Sequence, residues 1–525
     1  MKKRLVYLLL FFVAVLLAFV LQKPCFMLYN DAISRGVSFN DYIQVMWHGV
    51  SLDATTAGYL TAIPWLIVLV SVWFKRFPLR KLLVAYYAII ALVVSIVFIV
   101  DMGLYPFWKF KLDASVFLYL DSPKNAAASV SAWFLIVRTL VILLLAAVSA
   151  WALYRITPSV LPAVKKRIAG TGAMILIGGA LFVVIRGGVT ESTANIGQVY
   201  FCNDEFLNHS AVNPAFSLMA SASKTKNYSD EFNYFSEEER ASLFQGLYPT
   251  GDEGTVELLR TKRPNILVVL MESFGGALVE SFGGVKGAST NLDRLSKEGI
   301  WFTNCYANSY RTDRGTVCTF SGYQSFPTLS VMKMPNKSRT LPSIAAELRK
   351  QGYHTDFLYG GDINFTNMKS YLLESGYQHL TADVDFPVSQ RKNAWGVNDD
   401  ITFEWLYNKL KDRKDTPWHT AFLTLSSHEP FEVPYHKLDE KVPNAFAFTD
   451  NCLGQFIERM KKTPLWNDLL VICLPDHGFY YPEEGNGHAA RIHHIPMLWL
   501  GGAIKQPMVI DKIMNQTDMA ATLLA

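Results

Sequence analysis

The chain has 525 residues, half of them hydrophobic, with 49 basic and 45 acidic side chains and a formal charge of +4. That length accommodates two or three structural units, and so nearly balanced a charge gives no reason to invoke nucleic acid as a partner. Six cysteines without a CxxC pair or a zinc-knuckle spacing exclude a disulfide scaffold.

Mean hydropathy is +0.17, and the apolar excess falls in the first 190 residues. The opening MKKRLVYLLLFFVAVLLAFVLQK sets three basic residues before an apolar run. The run is longer than a signal-peptide core, and no small-x-small cleavage site follows. It reads as a first membrane span over 5–21. Four more apolar runs follow at 56–73, 83–101, 130–152 and 169–185, each near the roughly 20 residues that a bilayer crossing needs. Arg138 is the one charge well inside a span, which predicts a polar contact within the bundle or near an interface.

With five spans, Lys2, Lys3 and Arg4, then Lys75, Arg76, Arg80 and Lys81, then Arg155, Lys165, Lys166 and Arg167 fall on one side. The positive-inside rule makes that side cytoplasmic, so everything after residue 190 is expected outside. The connections 22–55 and 102–129 carry Trp47, Tyr105 and Trp108. They read either as amphipathic segments on the outer membrane surface or as ordered loops. Out there Cys25, Cys202, Cys305 and Cys318 could pair, whereas Cys473 lies in an apolar run and reads as core.

Residues 188–261 read as a mainly helical linker between a membrane domain (1–187) and a soluble domain (262–525). The soluble part opens with NILVVLME, a buried-strand pattern. Helical and strand-like stretches then alternate: NLDRLSKEG, WFTNCYAN, LPSIAAELRKQG, HTDFLYG, NMKSYLLESG, TAFLTLSS, AFTDNCLGQFIERMKK and NDLLVICLPDHG. This alternation predicts an open α/β sheet of mainly parallel strands, in which ligands collect at the carboxyl ends. The chain stops in NQTDMAATLLA, a helix capped at Thr517 or Asp518, and it reads as cut within this last domain.

The strand ends carry chemistry. Glu272 ends the first strand, Asp476 and His477 end VICLP, His428 follows TAFLTLSS, and Thr312 follows WFTNCYAN in SYRTDRGT. Glu, Asp and His in this oxygen-rich mix suit manganese, magnesium or zinc rather than a soft metal. A threonine hydroxyl becomes a nucleophile once a cation depresses its pKa, and Arg311 and Arg314 can neutralise a phosphate. Each residue alone has an ordinary structural use: a surface or capping partner for Glu272, a turn for DHG, packing for His428, a helix cap for Thr312. Spacing alone leaves the metal site and those uses equally open.

Taken together, NILVVLMESFGG, RTDRGTVCTFSGYQSFP, FLYGGDINFTNMKSYL, TLSSHEPF, PDHG and HHIPMLWLGG resemble the lipoteichoic-acid-synthase-like phosphoglycerol transferases. These are membrane enzymes of the sulfatase and alkaline phosphatase superfamily. The resemblance implies an N-terminal five-helix transmembrane bundle and an extracytoplasmic sulfatase-like α/β domain in the cytoplasmic (inner) membrane. It implies one divalent cation on Glu272, Thr312, Asp476 and His477, with Thr312 as nucleophile. His428, Arg311, Arg314, His494, Asp362 and Asn367 are implied to face substrate, with Gly361 and Phe365 in the pocket wall and His493 of less definite role. The implied donor is phosphatidylglycerol, and the implied acceptor is a glycan or polyol phosphate outside the cytoplasm. The C/S-x-P-x-R context of sulfatases proper is absent at RTDRG, which counts against sulfate-ester hydrolysis. A phosphoethanolamine transferase is the alternative enzyme, and a silent membrane scaffold or anionic-polymer binder the alternative outside catalysis.

Overall fold

The computed structural model describes residues 1–33, 36–74, 77–121, 132–159, 161–222, 233–245, 256–482 and 489–525. The chain forms two compact units, Met1–Thr225 and Lys226–Ala525. Lys75, Arg76 and part of the expected linker lie outside the described residues.

Among the described residues, the first unit contains five helices long and apolar enough to cross a membrane: α1 (Lys2–Tyr29), α2 (Phe39–Val70), α3 (Leu79–Trp108), α4 (Ala132–Ile156) and α5 (Arg167–Arg186). All five expected spans are present, but the expected connection 22–55 is largely helix. α1 runs on to Tyr29, and α2 starts at a capping box in which Ser38 and Asp41 satisfy each other's backbone N–H. Hydropathy missed this half-helix because it carries Gln44, His48, Ser51 and Asp53. Their polarity is absorbed inside: the Lys23 ammonium sits 2.6 Å from Asp53, which also accepts from Asn213 Nδ2 at 2.9 Å. A second buried pair, Lys111 with Asp101, ties the end of α3 to the chain after it. Arg138 donates to the Tyr29 hydroxyl and lies over the Tyr29 and Phe134 rings, a polar contact at the end of α1.

The segment expected to act as a linker from residue 188 joins this unit for its first part. Helices α6 (Glu205–Ala211) and α7 (Pro214–Ala222) belong to it, and His209 Nδ1 meets the Tyr105 hydroxyl at 3.0 Å. None of the six cysteines is paired. Cys305 and Cys318 are buried single thiols, so the expected external disulfides do not form.

The second unit is built on one sheet of nine strands among the described residues: β1 (Asn265–Met271), β2 (Ile300–Tyr306), β3 (His354–Tyr359), β4 (His379–Thr381), β5 (Trp418–Leu423), β6 (Leu469–Pro475), β7 (His494–Leu500), β8 (Met508–Ile510) and β9 (Met514–Asn515). Their order is β4-β3-β5-β1-β6-β7-β2-β8, with β9 also on β2. The run β4-β3-β5-β1-β6 is parallel, and β7 is antiparallel to both β6 and β2. β2 therefore points the same way as β1, and the carboxyl ends of β1, β2, β3, β5 and β6 share one edge with the amino end of β7. β1 shows why the sheet is covered on both faces. Ile266, Val268 and Leu270 enter one core, and Leu267, Val269 and Met271 enter the other. The first core also receives Met519 of the terminal helix Asp518–Leu524, where Thr517 stands at the cap position without capping and its hydroxyl turns to Asn515.

Candidate metal centre

Three acidic or imidazole groups close on one point at that edge. Glu272, Asp476 and His477 place one ligand atom each within 4.8 Å of one another, all three buried. Glu272 follows β1 directly, and its loop is held by three hydroxyls. Its backbone N–H donates to Thr424 Oγ1 at 2.9 Å, its carbonyl accepts from Ser427 Oγ at 2.6 Å, and Ser273 Oγ donates to its carboxylate at 2.8 Å. Ser273 itself has φ 57, and from that left-handed conformation its N–H reaches Asp476 Oδ1 at 2.8 Å.

The charges of these buried groups act strongly on one another. Burial, and then the Glu272 charge, push the Asp476 carboxyl up to about 7. For His477, burial disfavours the charged ring, but the Asp476 and Glu272 carboxylates outweigh it and shift the group upward. His477 Nδ1 lies 2.8 Å from the Gly478 carbonyl, which can only accept, so Nδ1 carries the hydrogen. In the neutral ring Nε2 then presents a lone pair 3.4 Å from Asp476 Oδ2 and 3.8 Å from Glu272 Oε1. Asp476 Oδ2 is buried and has no hydrogen-bond partner within 3.5 Å among the described residues. Two carboxylates, one with an unpartnered oxygen, and an imidazole lone pair converge on one point, a ligand set that fits a divalent cation.

Thr312 reaches this cluster from a helix. α8 (Thr312–Ser321) begins at Thr312, and Arg311 is the capping residue. Thr312 therefore does not cap: its hydroxyl donates to Glu272 Oε2 at 3.3 Å. The positive end of the helix dipole lies at this oxygen and favours negative charge there. Gly315 brings the helix close enough, since a Cβ there would lie 1.9 Å from the Asp476 carbonyl oxygen. Gly478 is the matching case on the other side, where a Cβ would meet the Ile492 carbonyl at 1.6 Å. Buried Gln516 fixes the join, its Nε2 hydrogen-bonded to the Asp476 carbonyl at 2.8 Å, Thr319 Oγ1 at 2.9 Å and the Pro475 carbonyl at 3.0 Å.

The remaining residues singled out in the sequence divide into two groups. His428 is partly exposed beyond β5, with Nδ1 on the Glu429 carbonyl at 2.9 Å and its ring edge-on to Trp395 at 4.7 Å. Trp395 in turn meets Phe365 at 5.5 Å, giving an aromatic wall that joins two loops. Arg311 is half-exposed and 3.7 Å from the buried Asp313 carboxylate, which also faces Lys333 at 3.4 Å. The others are engaged locally. Arg314 donates to the Pro327 carbonyl at 3.0 Å and lies over Tyr310. His494 Nε2 donates to the Thr303 carbonyl at 2.7 Å while its ring stacks on Phe282. Asp362 accepts from the Asn364 N–H at 2.9 Å, and Asn367, at φ 66, lies behind Lys333 with its Nδ2 3.5 Å from that carbonyl.

Sequence reasoning passed over Ser273, Ser427, Trp395, Gln516 and Tyr359. Tyr359 ends β3, and burial followed by the charges of Glu272, Asp362 and Asp476 drives its phenol well upward. The strand-end rule applied to β3 would have found Tyr359, as a lone tryptophan in the polar run RKNAWGVNDD would have found Trp395.

Residues 264–525 match the sulfatase family. A lipoteichoic acid synthase-like protein of Bacillus subtilis (YvgJ) is 21% identical over 297 residues, 50% of this chain and 47% of that protein. Phosphoglycerol transferase I of Salmonella typhi is 23% identical over 207 residues, 35% of this chain and 27% of that enzyme. The matches thus span less than half the length of these relatives. Among solved structures, a protein of the alkaline phosphatase superfamily from Vibrio parahaemolyticus is 31% identical, with 52% of this chain and 71% of that chain covered and a TM-score of 0.48. The lipoteichoic acid synthase LtaP from Listeria monocytogenes is 18% identical, with 51% and 73% covered and a TM-score of 0.46.

Proposed function

This chain belongs to the sulfatase family through residues 264–525, and from that premise we propose that it moves phosphoglycerol from phosphatidylglycerol to a hydroxyl acceptor outside the cytoplasm. The observation that carries the reading is the Thr312 hydroxyl, set at a helix N-terminus and bonded at 3.3 Å to a carboxylate of the three-ligand cluster. Relatives named as lipoteichoic acid synthase-like and as phosphoglycerol transferase support the headgroup.

Glu272, Asp476 and His477, together with Thr312 Oγ1, would hold the cation, manganese first and magnesium or zinc otherwise. Bound there, a divalent cation supplies the positive charge that favours an ionised threonine oxygen and offsets the phosphate charge. The residues of the chain do the rest. Glu272 Oε2 orients the Thr312 hydroxyl, and the amino end of α8 favours the anionic oxygen. Thr312 Oγ1 attacks the phosphorus and releases its proton. The bond from phosphorus to the diacylglycerol oxygen breaks, and that oxygen takes up a proton. Phosphoglycerol then rests on Thr312 until an acceptor hydroxyl attacks the same phosphorus, loses its proton and frees the threonine. His428 and Arg311 are the partly exposed polar groups that would hold the headgroup, beside the Trp395–Phe365 wall.

A phospholipid donor requires the site on the face where the lipid headgroup lies. The basic residues at the start of α1 and before α5 support an orientation with residues after α5 outside. Cysteines introduced for Lys166 and Glu191 test it: a membrane-impermeant thiol reagent on intact cells should label the second alone, and labelling of the first alone would reverse the topology. The activity is tested by supplying the full chain with headgroup-labelled phosphatidylglycerol or phosphatidylethanolamine in mixed micelles. Release of diacylglycerol from the first lipid alone is expected. Turnover of phosphatidylethanolamine alone would make the chain a phosphoethanolamine transferase, and turnover of neither would leave it a binding protein.

A further inference from the structure

Within the first unit, α1, α3 and α4 enclose a cleft of about 460 Å³, in the size range of small-molecule sites. Its walls are aliphatic and aromatic, with Val15, Phe19, Ile90, Phe98 and Val148 among them. Few residues of α4 are buried, so the cleft lies beside a helix with a face left open to lipid.

Depth and length point to one leaflet. On α1 the lining runs from Ala14 to Cys25, about 17 Å at 1.5 Å per residue. One leaflet contributes about 15 Å to a bilayer core of about 30 Å. The lined stretch is the carboxyl-terminal part of α1, away from the basic residues Lys2 and Lys3 that mark the other face.

A polar side chain stands near the outer end. Gln22 lines the cleft, and its Oε1, buried in the structure, has no hydrogen-bond partner among the described residues. An amide oxygen so placed at the edge of hydrocarbon calls for a donor. Intact phospholipids have no donor at the level of their acyl esters, and the hydroxyls of phosphatidylglycerol lie beyond its phosphate. Diacylglycerol differs: its free hydroxyl sits on the carbon next to the esterified ones.

We propose that this cleft binds diacylglycerol, with one acyl chain between α1, α3 and α4 and the lipid's hydroxyl donating to Gln22 Oε1. The occupant rests on the transfer reading above, since diacylglycerol is the lipid left when phosphoglycerol departs. The oxygen that loses phosphorus gains the proton that Gln22 would accept in a hydrogen bond. The cleft is then a product site in the membrane, occupied before the spent lipid diffuses away.

Cys25 lines the cleft and is an exposed free thiol, which gives a reporter independent of turnover. The full chain carrying Cys202→Ser, in phosphatidylcholine nanodiscs, is alkylated with a lipophilic maleimide, with and without a few mole per cent of dioleoylglycerol. Dioleoylglycerol should slow Cys25 labelling several-fold, the same amount of dioleoylphosphatidylglycerol should not, and Gln22→Leu should abolish the difference. Ala18→Leu, which fills the cleft, should label slowly with no further effect of either lipid. Equal rates with and without dioleoylglycerol, or equal slowing by phosphatidylglycerol, would overturn the proposal. Protection in a chain that transfers no headgroup would instead refute the transferase reading and leave the site standing.

Discussion

Replacing Gly315 by alanine separates the position of the threonine from its chemistry. The added carbon would lie 1.9 Å from the Asp476 carbonyl oxygen and 2.6 Å from its carbon, both backbone atoms that cannot rotate away. To reach 3.0 Å, below which such contacts essentially do not occur, the first turn of α8 must retreat by at least about 1.1 Å. Thr312 lies three residues earlier on that turn, and its bond to Glu272 Oε2 is already 3.3 Å long. A misplacement of about 1 Å in reacting geometry costs on the order of 10²-fold in rate. Stability responds less, because overpacking costs about 1–3 kcal/mol while alanine in a helix regains about 1 kcal/mol over glycine. Headgroup release and thermal unfolding of the full chain in detergent should therefore diverge, with a large loss of rate and a small shift in midpoint. Gly172→Ala, whose added carbon meets nothing within 4 Å, should change neither. A Gly315→Ala chain with the wild-type rate would refute the claim that this contact sets the nucleophile.

Thr312→Ala should abolish transfer yet stay within about 1 kcal/mol of wild-type stability, because Arg311 holds the cap position and the usual penalty of about 0.5–2 kcal/mol for losing a capping side chain does not apply. Thr312→Ser should keep part of the rate. Asp476→Ala and His477→Ala should lower the divalent ion bound per chain by elemental analysis. His428→Ala should retain the ion and lose about tenfold to a hundredfold in turnover, the worth of one hydrogen bond to a charged group at ~1.5–3 kcal/mol. Burial lowers the His419 ring from 6.5 to about 4. The fold resists its protonation, so its stabilising effect is complete above pH 6.5 and is lost as pH falls toward 4. At ~1.4 kcal/mol per unit the loss approaches about 3 kcal/mol, and His419→Gln should flatten that acid limb of the unfolding midpoint.

Much of this site is written in the strands. Long apolar runs ending in Glu272 and Asp476 announce both a buried parallel strand and the edge where ligands gather, because one periodicity governs both. What escaped the sequence depends on contacts distant along the chain. β7 reads as one more apolar run, and only its pairing with β2 and β6 makes it antiparallel and brings His494 to the shared edge. Ser273 and Gln516 carry no local signature, since their roles come from a positive φ and from backbone carbonyls of another element. The first half of α2 was hidden by its own polar residues, which make sense once Lys23 and Asn213 are seen against Asp53. Pairing of the cysteines was a matter of compartment chemistry, and burial of Cys305 and Cys318 as separate thiols decided it.

The central claim is that Thr312 becomes covalently attached to the headgroup, and one measurement addresses it directly. The full chain is incubated with headgroup-labelled phosphatidylglycerol without an acceptor, quenched in acid, digested and analysed by mass spectrometry. A glycerophosphate adduct on the peptide containing Thr312, absent from Thr312→Ala, is the predicted result. An active chain whose adduct lies on another residue, or a Thr312→Ala chain that still turns over, would contradict it.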